Sequence, residues 1–195
     1  MGVLPFPLEG EGDTLSSPQK GGNVVRLEDD GARIIFYLCM HMNIGDKIPE
    51  LLGPDQDGIL LKSSDFLGSP WILYFYPKDN TSGCTAEACS LRDHIELLAE
   101  RGYRVVGVSK DSAASHQKFR AKFALPFPLI VDEEHRLQEE MGVWIPKKMY
   151  GKEYMGTLRS TFIIDKEGVV RYMFSGKEIN TQKHAEQILK VIDNL

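Results

Sequence analysis

The spacing of apolar residues changes period along the chain, and each change predicts an element. Trp71 to Tyr76 is an unbroken apolar and aromatic run, as in a strand covered on both faces. Pro77 stops it, because proline has no N–H to give a sheet ladder. After a polar turn, Cys84, Ala88, Leu91, Ile95 and Leu98 recur at the spacing of one buried helix face. That helix is expected to reach about Arg101, with Gly102 as its C-cap. Upstream, Gly53 to Gly58 reads as a turn, Ile59 to Leu61 as a short strand, and Ser63 to Phe66 as one helical turn.

Downstream, Tyr103 to Ser109 is a second buried strand, and Ser112 caps a helix bearing Phe119 and Phe123. A short strand, Leu129 to Val131, precedes an acidic helical segment ending near Met141, with Asp132 to Glu140 read as a charged face. Thr161 to Ile164 and Val169 to Phe174 flank the hairpin turn Asp165 to Gly168. A last helix is expected from Asn180 or Thr181, with Ala185, Ile188, Leu189 and Ile192 inward. Lys147, Lys148 and Lys152, with Tyr150 and Tyr154, read as a solvated basic loop. Helices alternating with buried strands, then a late hairpin, describe an α/β sandwich.

Composition narrows the function. The chain has 195 residues, is 42% hydrophobic and 26% charged, and carries a net charge of -5. Such a balance gives no electrostatic reason to expect nucleic acid or an anionic membrane as partner. Three cysteines are too few for a disulfide framework and suit a reducing, cytoplasmic setting. The five histidines show no metal-ligand spacing, and His94 fits an exposed helix face. Residues 1–41 hold six acids and three bases, so this leader has charge -3 and the rest of the -5 chain only -2. The leader is expected to be an expression remnant, a misplaced start or a flexible extension, with residues 42–195 as the domain. Cys39 lies in it as a surplus thiol, beside an apolar run from Ile34 to Met40.

Cys84 is the candidate nucleophile. It falls in the first helical turn, near unpaired backbone N–H groups and the positive end of the helix dipole. Those surroundings favour the thiolate, the reactive form. A lone cysteine there is more often a small buried hydrophobe, but Cys89 lies five residues on. The pair is not a Cys-x-x-Cys motif and has no further ligands for zinc. Five helical residues separate their Cα atoms by roughly 8.6 Å, whereas a disulfide needs less than about 7 Å. The two can join only if the helix start unwinds, which suits a catalytic cycle better than a structural staple.

At this point the motifs carry a resemblance. Pro77-x-x-x-Thr81-x-x-Cys84, with Cys89 five residues on, resembles the active-site motif of peroxiredoxins, and its spacing that of the bacterioferritin-comigratory-protein or peroxiredoxin Q subfamily. Lys147 to Gly151 and Arg159 to Asp165 extend the likeness, which covers about Met42 to Leu195. Ser82 stands where the family often has proline.

The resemblance implies a thioredoxin-like three-layer sandwich, a mixed central β-sheet with helices on both faces. It implies a thiol peroxidase acting on hydrogen peroxide and organic hydroperoxides. Cys84 would be oxidised to a sulfenic acid and Cys89 would resolve it as an intramolecular disulfide. Thioredoxin or a similar dithiol protein would restore the thiols, and no metal, flavin or haem is implied. The pairing permits a monomer or weak dimer. Thr81 and Arg159 are the side chains the resemblance puts on the peroxide, Pro77 shields the sulfur, and Glu87 is a candidate for ordering Arg159.

For these residues simpler readings stay open: a helix N-cap for Thr81, a surface position for Arg159, a solvated first-turn carboxylate for Glu87. Thiolate formation alone supplies at most ~30-fold from a thiol ~3% ionised at neutral pH. Enzymes commonly supply ~10⁶ or more, so donors aimed at the peroxide oxygens are required. Two other functions use the same residues: a thiol–disulfide oxidoreductase, which would be expected to carry Cys-x-x-Cys, and a non-enzymatic redox-responsive binding module.

Overall fold

The computed structural model describes residues 42–149 and 151–195. The leader, with Cys39 and its apolar run, and Tyr150 lie outside the described residues. Strands β1 (Leu51–Pro54) and β2 (Leu60–Lys62) form an antiparallel hairpin, followed by a 3₁₀ turn at Ser63–Phe66. Then come β3 (Trp71–Phe75), helices α1 (Ser82–Asp93) and α2 (Ile95–Glu100), β4 (Arg104–Ser109) and α3 (Ala113–Phe123). Next are β5 (Leu129–Val131), the short α4 (Arg136–Glu140), and a hairpin of β6 (Trp144–Met149) and β7 (Lys152–Thr157). Finally β8 (Ser160–Ile164), β9 (Val170–Ser175) and α5 (His184–Ile192) complete the fold.

The central sheet has the order β5-β4-β3-β8-β9, parallel across β5, β4 and β3 and antiparallel from β3 onward. All five residues of β3 are buried, because β3 is the middle strand and both its faces are covered. Side-chain alternation splits the core in two. Ile72 and Tyr74 face one layer, with Cys84, Ala88 and Leu91 of α1, Leu98 of α2, Phe119 of α3 and Ile188 of α5. Trp71, Leu73 and Phe75 face the other, under Leu137 of α4, the 3₁₀ turn's Phe66, Met42 and Ile48. The result is the three-layer mixed-sheet sandwich that the resemblance implies.

Gly107 on β4 is required by this packing. A Cβ there would stand 2.7 Å from Leu129 Cδ2 and 2.9 Å from the Tyr74 ring, closer than real side chains approach.

Several expected boundaries shift for local reasons. The helix expected to run from Cys84 to Arg101 is two helices, broken at His94. There the imidazole bonds the Ser90 carbonyl at 2.9 Å, the acceptor that the His94 N–H would take in an unbroken helix. The N–H turns instead to Leu91 O at 3.3 Å, and the ring is half-buried, not exposed. Gly102 does close α2, at φ +80°. Helix α5 begins at His184 and not at Asn180 or Thr181, because Asn180 is locked in a turn. Its Oδ1 accepts from Gln182 N at 3.2 Å and its N–H donates to Gln187 Oε1 at 2.8 Å. Asp132 is buried rather than solvated, and its carboxylate accepts from the N–H groups of Leu137 and Gln138 at 3.1 and 2.9 Å. The basic stretch around Lys147 is a β-hairpin, not a loop.

Candidate active site

Two strand ends assemble the site. Because β3 and β8 are antiparallel with Phe75 opposite Ser160, the loop leaving β3 and the residue entering β8 emerge at the same edge of the sheet. Pro77, half-buried, turns the chain out of β3, and the loop then leads into α1. Asn80 takes a left-handed conformation at φ +57° in that loop.

Asp79 fastens this loop to the body of the fold. It is buried, and its carboxylate accepts from Tyr76 Oη at 2.8 Å, Ser115 Oγ at 2.7 Å and His116 Nδ1 at 2.9 Å. His116 is fully buried, and its Nε2 meets the Ile130 carbonyl at 3.1 Å. The two ring nitrogens thus face two acceptors, a carboxylate oxygen and a backbone carbonyl. Burial pushes the Asp79 carboxyl up, but the bonds from His116, Ser115 and Tyr76 outweigh it and hold the group below its usual range. The loop's backbone is pinned as well, since Asp79 N donates to Asp111 Oδ2 at 2.8 Å.

Thr81 occupies the N-cap position of α1 in extended conformation, yet its side chain caps nothing. Its hydroxyl donates to the Lys78 carbonyl at 3.1 Å. The cap reading therefore fails for the hydroxyl, although Thr81 O accepts the helical bond from Thr85 N at 2.8 Å.

Cys84 is buried, with 1% of its surface exposed. Arg159 Nη2 donates to its Sγ at 3.2 Å, while Nη1 of the same guanidinium donates to Glu87 Oε2. One planar cation thus spans sulfur and carboxylate. The backbone at Gly83 packs close to this cation: a Cβ there would lie 3.5 Å from Arg159 Nη2. Glu87 is fully buried, so the reading of a solvated first-turn carboxylate is overturned. Burial pushes its carboxyl up to about 7, against the opposing charge and hydrogen bond of Arg159. Cys89 is half-buried, and neither cysteine is in a disulfide.

Behind Glu87 lies a polar shell that no sequence spacing announces. His184 Nε2 is 3.8 Å from Glu87 Oε1 and 2.7 Å from Thr161 Oγ1. Burial, then the nearby Arg159 charge, bring His184 down to about 4 despite its bond to the Gln187 amide oxygen, so it is neutral near pH 7. Gln187 Oε1 accepts from Asn180 N, so it can accept at 3.4 Å only from a protonated His184 Nδ1. Nε2 is then the acceptor of the Thr161 hydroxyl. Tyr74 completes the wall; burial and the charges of Glu87, Asp79 and Cys84 hold its hydroxyl well above its ordinary value. Asp79, His116, Thr161 and His184 are spread over a hundred residues. Their only sequence signal is two histidines in otherwise apolar helix patterns.

Lys147 of the hairpin comes within electrostatic range of the site. Burial and the Arg159 charge lower its pKa while Cys84 opposes them, and its Nζ donates to Thr157 O at 2.5 Å. Among the described residues no three His, Cys, Asp or Glu side chains are grouped to hold a metal ion. Nor is any described helix long and apolar enough to cross a membrane.

This geometry has close counterparts. The model of the AhpC/TSA family matches residues 44–173. The chain is 46% identical over 156 residues to peroxiredoxin Bcp of Bacillus subtilis (strain 168), covering 80% of this chain and 98% of that protein. It is 41% identical over 160 residues to the chloroplastic peroxiredoxin Q of Triticum aestivum, covering 81% of this chain and 70% of the relative. Among solved structures, a cysteine-to-serine mutant of Xylella fastidiosa PrxQ superposes with a TM-score of 0.72 at 32% identity, covering 79% of this chain and 97% of that one. The peroxidoxin BcpB of Mycobacterium tuberculosis superposes with a TM-score of 0.70 at 33% identity, over 80% and 99%. A buried cysteine under an arginine clamp at a strand edge, in a thioredoxin-like sandwich with these relatives, makes the chain a member of the AhpC/TSA family, a peroxiredoxin of the Bcp and peroxiredoxin Q group and hence a thiol-dependent peroxidase.

Proposed function

We propose that this peroxidase reduces hydrogen peroxide and organic hydroperoxides at Cys84, with Cys89 resolving the product within the same subunit. The observation that carries the reading is the single guanidinium bridging Cys84 and Glu87. The Cys84 thiolate attacks the terminal peroxide oxygen, the O–O bond breaks, and the leaving oxygen takes a proton as water or an alcohol. Arg159 is fixed where negative charge passes from sulfur to oxygen, and its position costs no reorganisation during reaction. Thr81 donates its own proton to Lys78 O, so its lone pairs are free to accept from the peroxide O–H. Pro77 limits water at the sulfur.

The Cys84 sulfenic acid then condenses with Cys89 and releases water. A dithiol protein such as thioredoxin reduces the disulfide. A resolving pair within one chain needs no second subunit, so a monomer or weak dimer suffices. A reducing compartment, the cytoplasm, supplies the reductant.

The test is one equivalent of hydrogen peroxide added to reduced protein, followed by stopped-flow tryptophan fluorescence and mass spectrometry. Rapid reaction should end in a Cys84–Cys89 disulfide, with the sulfenic acid accumulating in Cys89→Ser. Reaction no faster than a free thiol, or a Cys84→Ser variant that still consumes peroxide, would rule the reading out.

A further inference from the structure

We infer that His184 and Thr161 are positioning residues of the peroxide reaction. Bonded to each other, they leave Glu87 Oε1 without a donor, so that the Arg159 charge stays with the Cys84 sulfur. This rests on the reading of Cys84 as the thiolate that attacks peroxide, and deepens it.

One cation stands between two acidic groups. Arg159 Nη2 reaches Cys84 Sγ at 3.2 Å, and Nη1 reaches Glu87 Oε2. A fully charged carboxylate would neutralise the guanidinium and leave less of its field on the sulfur. A carboxyl that readily takes a proton still orients the fork through Oε2 but competes less. The donors that reach Glu87 decide between the two, because hydrogen bonds to a carboxylate favour its charged form.

Oε2 has Arg159, whereas Oε1 is buried and bonds no donor among the described residues. Around this carboxyl stand Cys84 on its own helix, Arg159, Tyr74 from β3, and His184 from α5 backed by Thr161 from β8. Tyr74 Oη is buried and likewise makes no hydrogen bond. His184 Nε2 lies 3.8 Å from Oε1 and presents a lone pair, not a proton.

That tautomer is set from behind. Gln187 Nε2 donates to Glu178 O at 2.8 Å and its Oε1 accepts from Asn180 N at 2.8 Å. The amide oxygen therefore faces His184 Nδ1, at 3.4 Å, and Nδ1 carries the ring proton. Nε2 then takes the Thr161 hydroxyl at 2.7 Å. Thr161 Oγ1 and Glu87 Oε1 both lie within 3.8 Å of this nitrogen, and it binds the proton that the hydroxyl could offer the carboxyl. The imidazole is held in place. Phe174 meets it edge-on at 5.3 Å and 80°, and Ala185 N ties α5 to Ser90 Oγ at 3.2 Å, one turn beyond Glu87. A Glu87 carboxyl pushed up to about 7 by burial agrees with this arrangement.

The test reads the thiolate directly, in Cys89→Ser protein at the pH where Cys84 is half ionised. Alkylation by iodoacetamide, ultraviolet thiolate absorbance and the peroxide rate are followed together. His184→Phe keeps a ring against Phe174 but removes Nε2, so the Thr161 hydroxyl turns to Glu87. All three readouts should fall about two- to fivefold. Adding Thr161→Val removes the released hydroxyl and should restore them. Gln187→Leu, at a half-buried position, lets the ring proton move to Nε2 and should lower them in the same way. In a Glu87→Gln background His184→Phe should change none of them. Unchanged readouts in either variant that folds would overturn the inference. So would an equal fall in Glu87→Gln, or no recovery with Thr161→Val. A thiolate that follows this pattern yet reacts with peroxide no faster than a free thiol would strike the underlying reading alone.

Discussion

Arg159 meets Glu87 through one guanidinium nitrogen while the other stays on the Cys84 sulfur. The carboxylate thereby sets the plane in which the cation faces the reacting atoms. Replacing Arg159 with Ala should slow the peroxide reaction by about 10²- to 10³-fold, the usual cost of one preorganised donor. Arg159→Lys keeps the charge but loses the fork, and should remain at least about tenfold slow. Second-order rate constants under excess peroxide give both numbers, and a rate near that of the unmodified protein in Arg159→Ala would contradict the clamp.

Glu87 also sets a pH dependence. With burial pushing its carboxyl up to about 7 from 4.5, the fold prefers the protonated form. That contribution is fully present below about 4.5 and is lost as pH rises through about 7, a change of about 3 kcal/mol. Glu87→Gln should flatten the stability profile between about pH 5 and pH 8 in denaturant titrations. The same variant should react with peroxide about tenfold more slowly, because Arg159 loses its charge-assisted partner.

Asp79 works in the opposite direction. Its carboxyl lies below the ordinary 3.8 because the bonds from His116, Ser115 and Tyr76 outweigh burial. Its contribution is present above that ordinary value and is lost as pH falls through the depressed one. The two contributions together are greatest in mild acid. Breaking the pair with His116→Ala leaves a buried carboxylate without its imidazole partner and should cost about 1–3 kcal/mol. Thermal unfolding near neutral pH checks the figure, and a loss under about 1 kcal/mol would mean the pair is not anchoring the loop.

Gly107→Ala tests the packing beneath the site. The added methyl would meet Leu129 and Tyr74 at under 3 Å, so a loss of about 1–3 kcal/mol is expected. Tyr74 lies within the charge field of Cys84 and Glu87, so the peroxide rate should fall with stability. An unchanged urea midpoint would show that β4 and β5 can spread apart at no cost.

The sequence makes the frame readable because its strongest patterns are the ones burial enforces. The apolar run of β3, the Cys84–Ala88–Leu91 face of α1 and the turn of the β8–β9 hairpin all stand where their periodicity puts them. Cys84 and Arg159 were legible through their motifs, while the antiparallel register of β3 and β8 that brings them together appears only in the fold. What stayed hidden depends on contacts made across the chain. Glu87 was legible as a partner of Arg159 only through the resemblance, and its full burial comes from packing that brings Arg159 to it from 72 residues away. His116 and His184 look like isolated polar residues until Asp79 and Thr161 meet them. The break at His94 comes from a side chain capturing a carbonyl, a competition that hydrophobic spacing does not record.

The β6–β7 hairpin leaves and rejoins the chain at a single closed point, where Leu158 N bonds Val143 O at 2.7 Å. Arg159 follows at once, its position set by β8 and not by the length of the excursion before it. The hairpin is therefore an exchangeable module. Its tip can be lengthened or shortened while the arginine keeps its place, whereas a charge changed at Lys147 would be felt at Arg159 and Cys84.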